Sequence, residues 1–277
     1  MTASLAAVDT SPNDRGSRGS ACRRVLALAS AEIRLLLRNR TAVVNSLLGP
    51  VLLLGSVGAI DVSNGIELDG PGLVASAIGI TLILVAYCNL VTTFVARREE
   101  LVLQRMRTGE LTDAEILLGT AVPTLLVTVV QILVVGVGVV ALGKWSAPVD
   151  VVLPLLALLG GGALMVVLAA ASTSFTRTVE AAQFTTLPLV LAATLFSGLL
   201  VPLSGFPEPA AEVFRFLPLT PVIELSRLGL VGETWNEHAV DTAGAWAAAP
   251  LPLAVLAGWL VAGTIIARAV FRWAPRR

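Results

Sequence analysis

Histidine occurs once, as His238, tyrosine once, as Tyr87, and cysteine twice in a chain of 277 residues of which only 14% are charged. One histidine cannot furnish a histidine-based metal site or a Ser-His-Asp triad. No G-x-S-x-G elbow is present either, which argues against an enzyme working on its own. Cys22 falls in a polar tail and Cys88 inside an apolar run, so no disulfide is expected. The interiors of the apolar runs carry no Asp, Glu or His, the relay groups that proton- and ion-coupled transporters keep inside the bilayer. The formal net charge is zero, which gives no basis for a nucleic-acid partner, and none is expected.

What the chain has in abundance is apolar surface: 56% hydrophobic residues and a mean hydropathy of +0.85, far from the usual mix of a soluble domain. A helix crossing the hydrocarbon core needs about 20 mostly apolar residues. Six such runs occur, at 41–60, 72–95, 114–142, 151–173, 184–205 and 250–267. The expected fold is therefore an all-α polytopic membrane protein with six transmembrane helices. Residues 1–22 lack an apolar core and are rich in Ser, Gly, Asp and Arg, so they are expected to form a disordered cytoplasmic tail rather than a cleaved signal peptide. Residues 23–277 form the one membrane domain.

The placement of charge sets the orientation. Of the 19 Lys and Arg residues, seven precede the first run, four lie in 97–107, one is Arg177 and four close the chain; only Lys144, Arg215 and Arg227 fall on the other side. Both termini are expected in the cytoplasm of a multi-pass protein of the cytoplasmic membrane. Arg23 to Arg40 has basic residues on one side and a broad apolar arc on the other, which fits an N-terminal interfacial helix and equally an ordinary basic flank.

Residues 206–249 are expected to hold two short external helices, with partial insertion into the membrane left open, the second begun by Thr220 as N-cap and Pro221 at the first helical position, with Glu224 and Arg227 spaced to pair. Pro50, Pro123, Pro154 and Pro188 interrupt runs and are expected to kink them. The Gly160-Gly161-Gly162 triplet and the Gly55 to Gly58 spacing permit close helix packing. Gly138 to Lys144, GVVALGK, fits most of a phosphate-binding loop, but Trp145 replaces the hydroxyl that must reach magnesium and no strand precedes it. It reads as a chance match.

Between the second and third runs stands a charged island, RREELVLQRMRTGELTDAEI, from Arg97 to Ile116. Read as a helix from Glu99, it places Val102, Leu103 and Met106 on one narrow face, with Glu100, Gln104, Arg105 and Arg107 around the rest. Gly109 lets the chain turn, and Thr112 to Glu115 has capping-box spacing, so Thr112 is expected to cap the third span while Glu115 reaches back to it. The spans also contain neutral polar residues, Asn45, Asn89, Gln131, Gln183 and Ser197. Each fits an interhelical hydrogen bond, and each is also a candidate for a translocation path.

The island resembles the cytoplasmic loop of ABC-2 type transporter permeases, the membrane subunits of ABC exporters such as those for drugs and antibiotics. A second resemblance is LPLVLAATLFSGLLVPLSGFPEPAAEVFRFLPLTPVIELSR, Leu187 to Arg227, and a weaker one is RNRTAVVNSLLGP, Arg38 to Pro50. Leu101 departs from the glycine that many members carry after the Arg-Glu-Glu run. The resemblance implies six spans, a second permease subunit as a homodimer, and two copies of a separate ABC ATPase that bind ATP and Mg, with no cofactor held by this chain. It maps an ATPase-coupling helix onto Glu99, Glu100, Val102, Leu103, Arg105, Met106 and Arg107. The expected function is the permease subunit of an ATP-driven exporter of a hydrophobic or amphipathic compound. The alternatives are a polysaccharide or lipid-linked glycan permease and a non-transporting scaffold or sensor subunit.

Overall fold

A computed structural model of the chain describes residues 30, 34, 69–100, 112–199 and 203–271. In chain order the elements are α1 (Gly70–Glu99), α2 (Asp113–Ala141), α3 (Val152–Thr173), α4 (Val179–Phe196), a 3-10 turn (Leu203–Gly205), α5 (Glu208–Phe214), α6 (Thr220–Leu230), α7 (Thr242–Ala248) and α8 (Pro250–Val270). Five of these, α1 to α4 and α8, are long and apolar enough to cross a membrane. The chain is an all-helical, multi-pass membrane protein. The expected first span at 41–60, with Pro50 and the Gly55 to Gly58 spacing, lies outside the described residues. Of the expected interfacial helix only Ser30 and Arg34 are described, and both are helical and exposed.

Leu133, Val137, Leu159, Val261 and Ile265 are all more than half exposed. In water that would be costly, but lipid tails solvate such side chains as well as a protein core does. The protein interior is therefore built around α3, which packs on α1, α6 and α8. Its glycine triplet serves four neighbouring helices: a Cβ on Gly160 would meet Leu256 of α8, one on Gly161 would meet Leu82 of α1 and Val222 of α6, and one on Gly162 would meet Leu125 of α2. Successive residues point about 100° apart around a helix, so three consecutive glycines lower the surface on most of its circumference.

Within α1, Thr81–Tyr87 is a π-helical stretch in which Thr81 donates its hydroxyl to the Ala77 carbonyl at 2.6 Å. Such wide turns mark places where a helix face is re-aimed. Here Leu82, Ile83, Ala86 and Tyr87 are all brought into the core, and the Tyr87 hydroxyl meets Ser172 Oγ of α3 at 2.8 Å.

Several expected features take a different form. The fifth expected span, 184–205, is realised as Val179–Phe196 because Thr178 caps it early, accepting from the Ala181 N–H, and Gly198 at φ 79° breaks it. Pro123 and Pro188 sit within continuous helices. Pro154 does not interrupt α3, because it occupies the first turn, where the backbone N–H has no helical partner to lose. Thr220 is the first residue of α6 rather than its N-cap, which is Leu219; its hydroxyl donates instead to the Phe214 carbonyl of α5 at 2.7 Å. The chance phosphate-loop match is a helix ending: Lys144 N–H donates to Val139 O at 3.1 Å and Gly143 N–H to Val140 O at 3.0 Å, with Gly143 at φ 70°. That is a Schellman cap.

Residues 206–249 hold a third short helix, α7, that was not expected, and α6 packs among the span-length helices, in line with the insertion that the sequence left open. Ten of the eleven α6 residues are buried. Its end lies against Pro154 at the start of α3, where a Cβ on Gly229 would approach the proline ring at 2.2 Å and the Asp150 carbonyl oxygen at 2.8 Å. Its beginning lies deeper: Val222 touches Gly161 and Ile223 touches Gly79 of α1. Gly161 is about 13 Å along α3 at 1.5 Å per residue, which is close to the middle of a hydrocarbon core of about 30 Å. The Trp259 indole, near the middle of α8, likewise donates to the Phe216 carbonyl at 2.7 Å. The segment α5–α6 thus dips to mid-depth and returns. Backbone that enters hydrocarbon without crossing it is tolerated only where protein walls it in, and α1, α3 and α8 supply that wall.

Asp150 closes the end to which α6 returns. Its Oδ1 accepts from Leu153 N–H at 2.8 Å, its Oδ2 from the Trp246 indole of α7 at 3.1 Å, and its own N–H donates to Gly229 O at 2.9 Å. Partial burial opposes ionisation, but the hydrogen bonds from Leu153, Trp246 and Val152 outweigh it and hold the carboxyl below the usual carboxylate range. A depressed folded-state value means that this contribution is present at neutral pH and is lost as pH falls through that value. Thermal scans in detergent between pH 7 and pH 3 should therefore show a smaller acid-induced loss for Asp150→Asn than for wild type; parallel curves would remove Asp150 from the account. Gly229→Ala should lower stability by about 1–3 kcal/mol through overpacking, while Gly258→Ala, with nothing within 4 Å of its Cβ position, should leave the melting temperature unchanged.

Candidate functional site

The charged island connects α1 to α2, and its two anchors are described while 101–111 are not. Val102, Leu103, Arg105, Met106 and Arg107 thus lie outside the described residues. Glu99 is the last residue of α1 and Glu100 its C-cap, both exposed. The helix expected to begin at Glu99 therefore shares that residue with the end of a span-length helix. The reason is the preceding run of good helix formers, Val95 to Glu99, with no breaker before Glu100.

On the far side Thr112 is the N-cap of α2. Its backbone N–H and hydroxyl both donate to Glu115 Oε2, at 2.7 and 2.8 Å, and its Oγ1 accepts from Glu115 N–H at 3.4 Å. Asp113 and Glu115 in the first turn also complement the positive end of the helix dipole.

Arg98 was not singled out by sequence reasoning, yet it is the largest fully buried side chain of the described residues. Its Nη1 donates to Thr173 O at 2.8 Å, and its Nη2 to Thr176 O at 2.5 Å and to Arg177 O at 3.3 Å. These carbonyls lie at and just beyond the end of α3, where Thr173 O also accepts from Thr176 N–H at 3.3 Å, and a cation there complements the negative end of the helix dipole. Nearby, Ser174 donates its hydroxyl to Val270 O of α8 at 2.7 Å. The ends of α1, α3 and α8 are thus tied together beside the island. Only the pattern of two adjacent arginines at the end of an apolar run could have flagged this role, and that pattern is shared with every basic flank.

The candidate path residues do not converge. Asn45 lies outside the described residues, and Asn89 is exposed on α1 while Gln131 is buried in α2. Gln183 edges a groove of about 250 Å³ between α1 and α4, together with Cys88, Thr92 and Thr186. Ser197, at the other end of α4, is buried and donates back to Ala193 O. It lines a separate small cavity with Thr220, Glu224, Arg227, Trp235 and Glu237.

That cavity contains the charges that sequence reasoning placed outside. Glu224 and Arg227 do not pair with each other: Glu224 Oε1 accepts from Arg215 Nη2 at 3.0 Å, and Arg227 pairs with Glu233. The reason is that α6 turns Glu224 toward the end of α5, whereas Arg227 faces the turn that follows α6. Arg215 also stacks over the Trp235 ring, 4.7 Å from its centroid. An ionisable residue buried among span-length helices is a functional candidate by default, and the sequence reading had named Glu224 only as a partner for Arg227.

Replacing Arg98 by Met should destabilise the chain by roughly 3 kcal/mol, the worth of one or two charge-assisted hydrogen bonds. Thermal unfolding in detergent, compared with Arg97→Met as a neighbouring control, measures it; equal effects would show that the buried guanidinium has no special part.

No curated protein matches the chain. A family model described as ABC-2 family transporter protein matches residues 63–270, a stretch that includes all five span-length helices. The chain belongs to the ABC-2 transporter family.

Proposed function

We propose that this chain is the permease subunit of an ATP-driven exporter that moves a hydrophobic or amphipathic compound, of the drug, antibiotic or lipid-like kind, out across the cytoplasmic membrane. Permeases of this family normally work with an ABC ATPase. The observation that carries the reading is the family match over 63–270, joined to an island fixed at both ends, by Arg98 against α3 and by the Thr112 capping box on α2. A segment held in that way can pass a push from outside the membrane to two spans.

In this reading the island lies in the cytoplasm with both termini, the run at 41–60 completes six spans within a domain of 23–277, and two copies of the chain pair as a homodimer. Two separate ATPase subunits bind ATP and Mg. Val102, Leu103 and Met106 seat in a groove of the ATPase, with Glu99, Glu100, Arg105 and Arg107 at its rim. Closure of the ATPases on ATP moves the island and tilts the spans. Glycan export and a scaffold role are the competing readings, and the eight Phe, five Trp and one Tyr give little for a sugar chain to stack on.

The test is co-purification of this chain from membranes with an ABC ATPase subunit of the same cell. Replacing Val102, Leu103 and Met106 together by Asp should reduce ATPase recovery at least tenfold while leaving the amount of membrane-inserted permease unchanged. Unchanged recovery would sink the coupling assignment.

A further inference from the structure

The cavity at the foot of α6 is enclosed by the end of α4, by α6 and by the turn after α6, with Ser197, Glu224, Arg227, Trp235 and Glu237 in its wall. Its open volume is small, about 30 Å³, which is room for roughly one water. The charges around it do not balance. Glu224 is neutralised by Arg215 and Glu233 by Arg227, while Glu237 has no ion-pair partner among the described residues. The wall therefore carries one excess negative charge.

Two wall residues already hold a cation. The Arg215 guanidinium lies against Glu224 on one side and over the Trp235 ring on the other, the pairing of carboxylate and aromatic face that recognises organic cations. It is held incompletely: Arg215 Nε is buried and has no acceptor. Arg215 also has an alternative partner on its own helix, because Glu212 stands three residues before it and is exposed.

We propose that Glu224, Trp235 and Glu237 form a subsite for the cationic head of an amphiphile, a guanidinium or an amine on an apolar tail, and that Arg215 is its built-in occupant, displaced toward Glu212 when the ligand enters. Phe216, one residue beyond Arg215, is exposed and edges an apolar groove along α8 with Leu251, Val255 and Trp259, which offers apolar surface for a tail. As a statement about exported cargo this rests on the exporter reading; as a statement about binding it does not.

The experiment uses the full chain in lipid nanodiscs, with n-octylguanidinium as probe, octanoate as the anionic control and empty discs for partitioning. Binding is measured by equilibrium dialysis and by the rise in melting temperature. Wild type should bind the cation and not the anion. Arg215→Ala removes the occupant and should tighten binding about tenfold. The double variant Arg215→Met with Glu224→Gln, which removes both charges and leaves neither partner buried alone, should keep its melting temperature within a few degrees and lose binding. Trp235→Leu and Glu237→Gln should each weaken it severalfold. Arg215→Ala binding no tighter than wild type, octanoate binding equally well, or cation binding that survives in the double variant would each overturn the subsite. Loss of ATPase recovery on changing Val102, Leu103 and Met106 bears on the exporter reading alone, so the two can fail separately.

Discussion

The structure depends on one constraint: a backbone polar group that enters hydrocarbon must find its partner inside the protein. Helices α1 to α4 and α8 meet it by crossing in single stretches. The segment α5–α6 does not cross, so it can exist at depth only if other helices surround it. Gly79 of α1, Gly161 of α3 and Gly229 of α6 itself allow this, because a side chain at either of the first two would collide with α6 and one at Gly229 would collide with Pro154 of α3. Depth in turn carries Arg215 and Glu224 inward, where neither could stay without the other, since a buried charge stripped of its partner is strongly destabilising.

The two ends of the bundle are closed by different chemistry. At one end Asp150 gathers the start of α3, the end of α6 and the indole of α7. At the other, Arg98 gathers the carbonyls at and just after the end of α3 while Ser174 holds α8. An acid sits at a helix beginning and a base at a helix end, as the helix dipole favours. Each arrangement also joins elements that are far apart in the chain.

Much of the span-level architecture was legible from apolar run length alone, and so was the Thr112 to Glu115 cap, because both are local properties. Boundaries went wrong where a single residue decided them: Gly198 ends α4 sooner than hydropathy indicated, and Pro154 is harmless because of where the helix begins. The inward course of α6 was only an open alternative in the sequence. Run length distinguishes what spans from what does not, but it is blind to a short helix that three neighbours shield, and two of the glycines that make room for it lie in other helices. The pairings of Glu224 and Arg227 were misread for the same reason: spacing along one helix competes with partners that only the tertiary fold brings near. Arg98 was hidden by its resemblance to an ordinary basic flank.

The Arg98 contacts also make the two ends of the island unlike. Beyond Tyr87, α1 packs on α3 and α4 and hardly touches α2, whose contacts with α1 lie nearer Gly70. The capping box that starts α2 is internal to that helix. The two anchors of residues 100 to 112 therefore differ: on one side stands a block of α1 and α3 joined by the Arg98 guanidinium, and on the other a helix whose first turn is buried at Glu115 and Ile116 but whose packing on α1 is concentrated toward Gly70. Helices α1 and α2 are drawn tightest together near Gly70, where the turn after α2 presses so close that a Cβ would stand 2.0 Å from the Lys144 carbonyl oxygen.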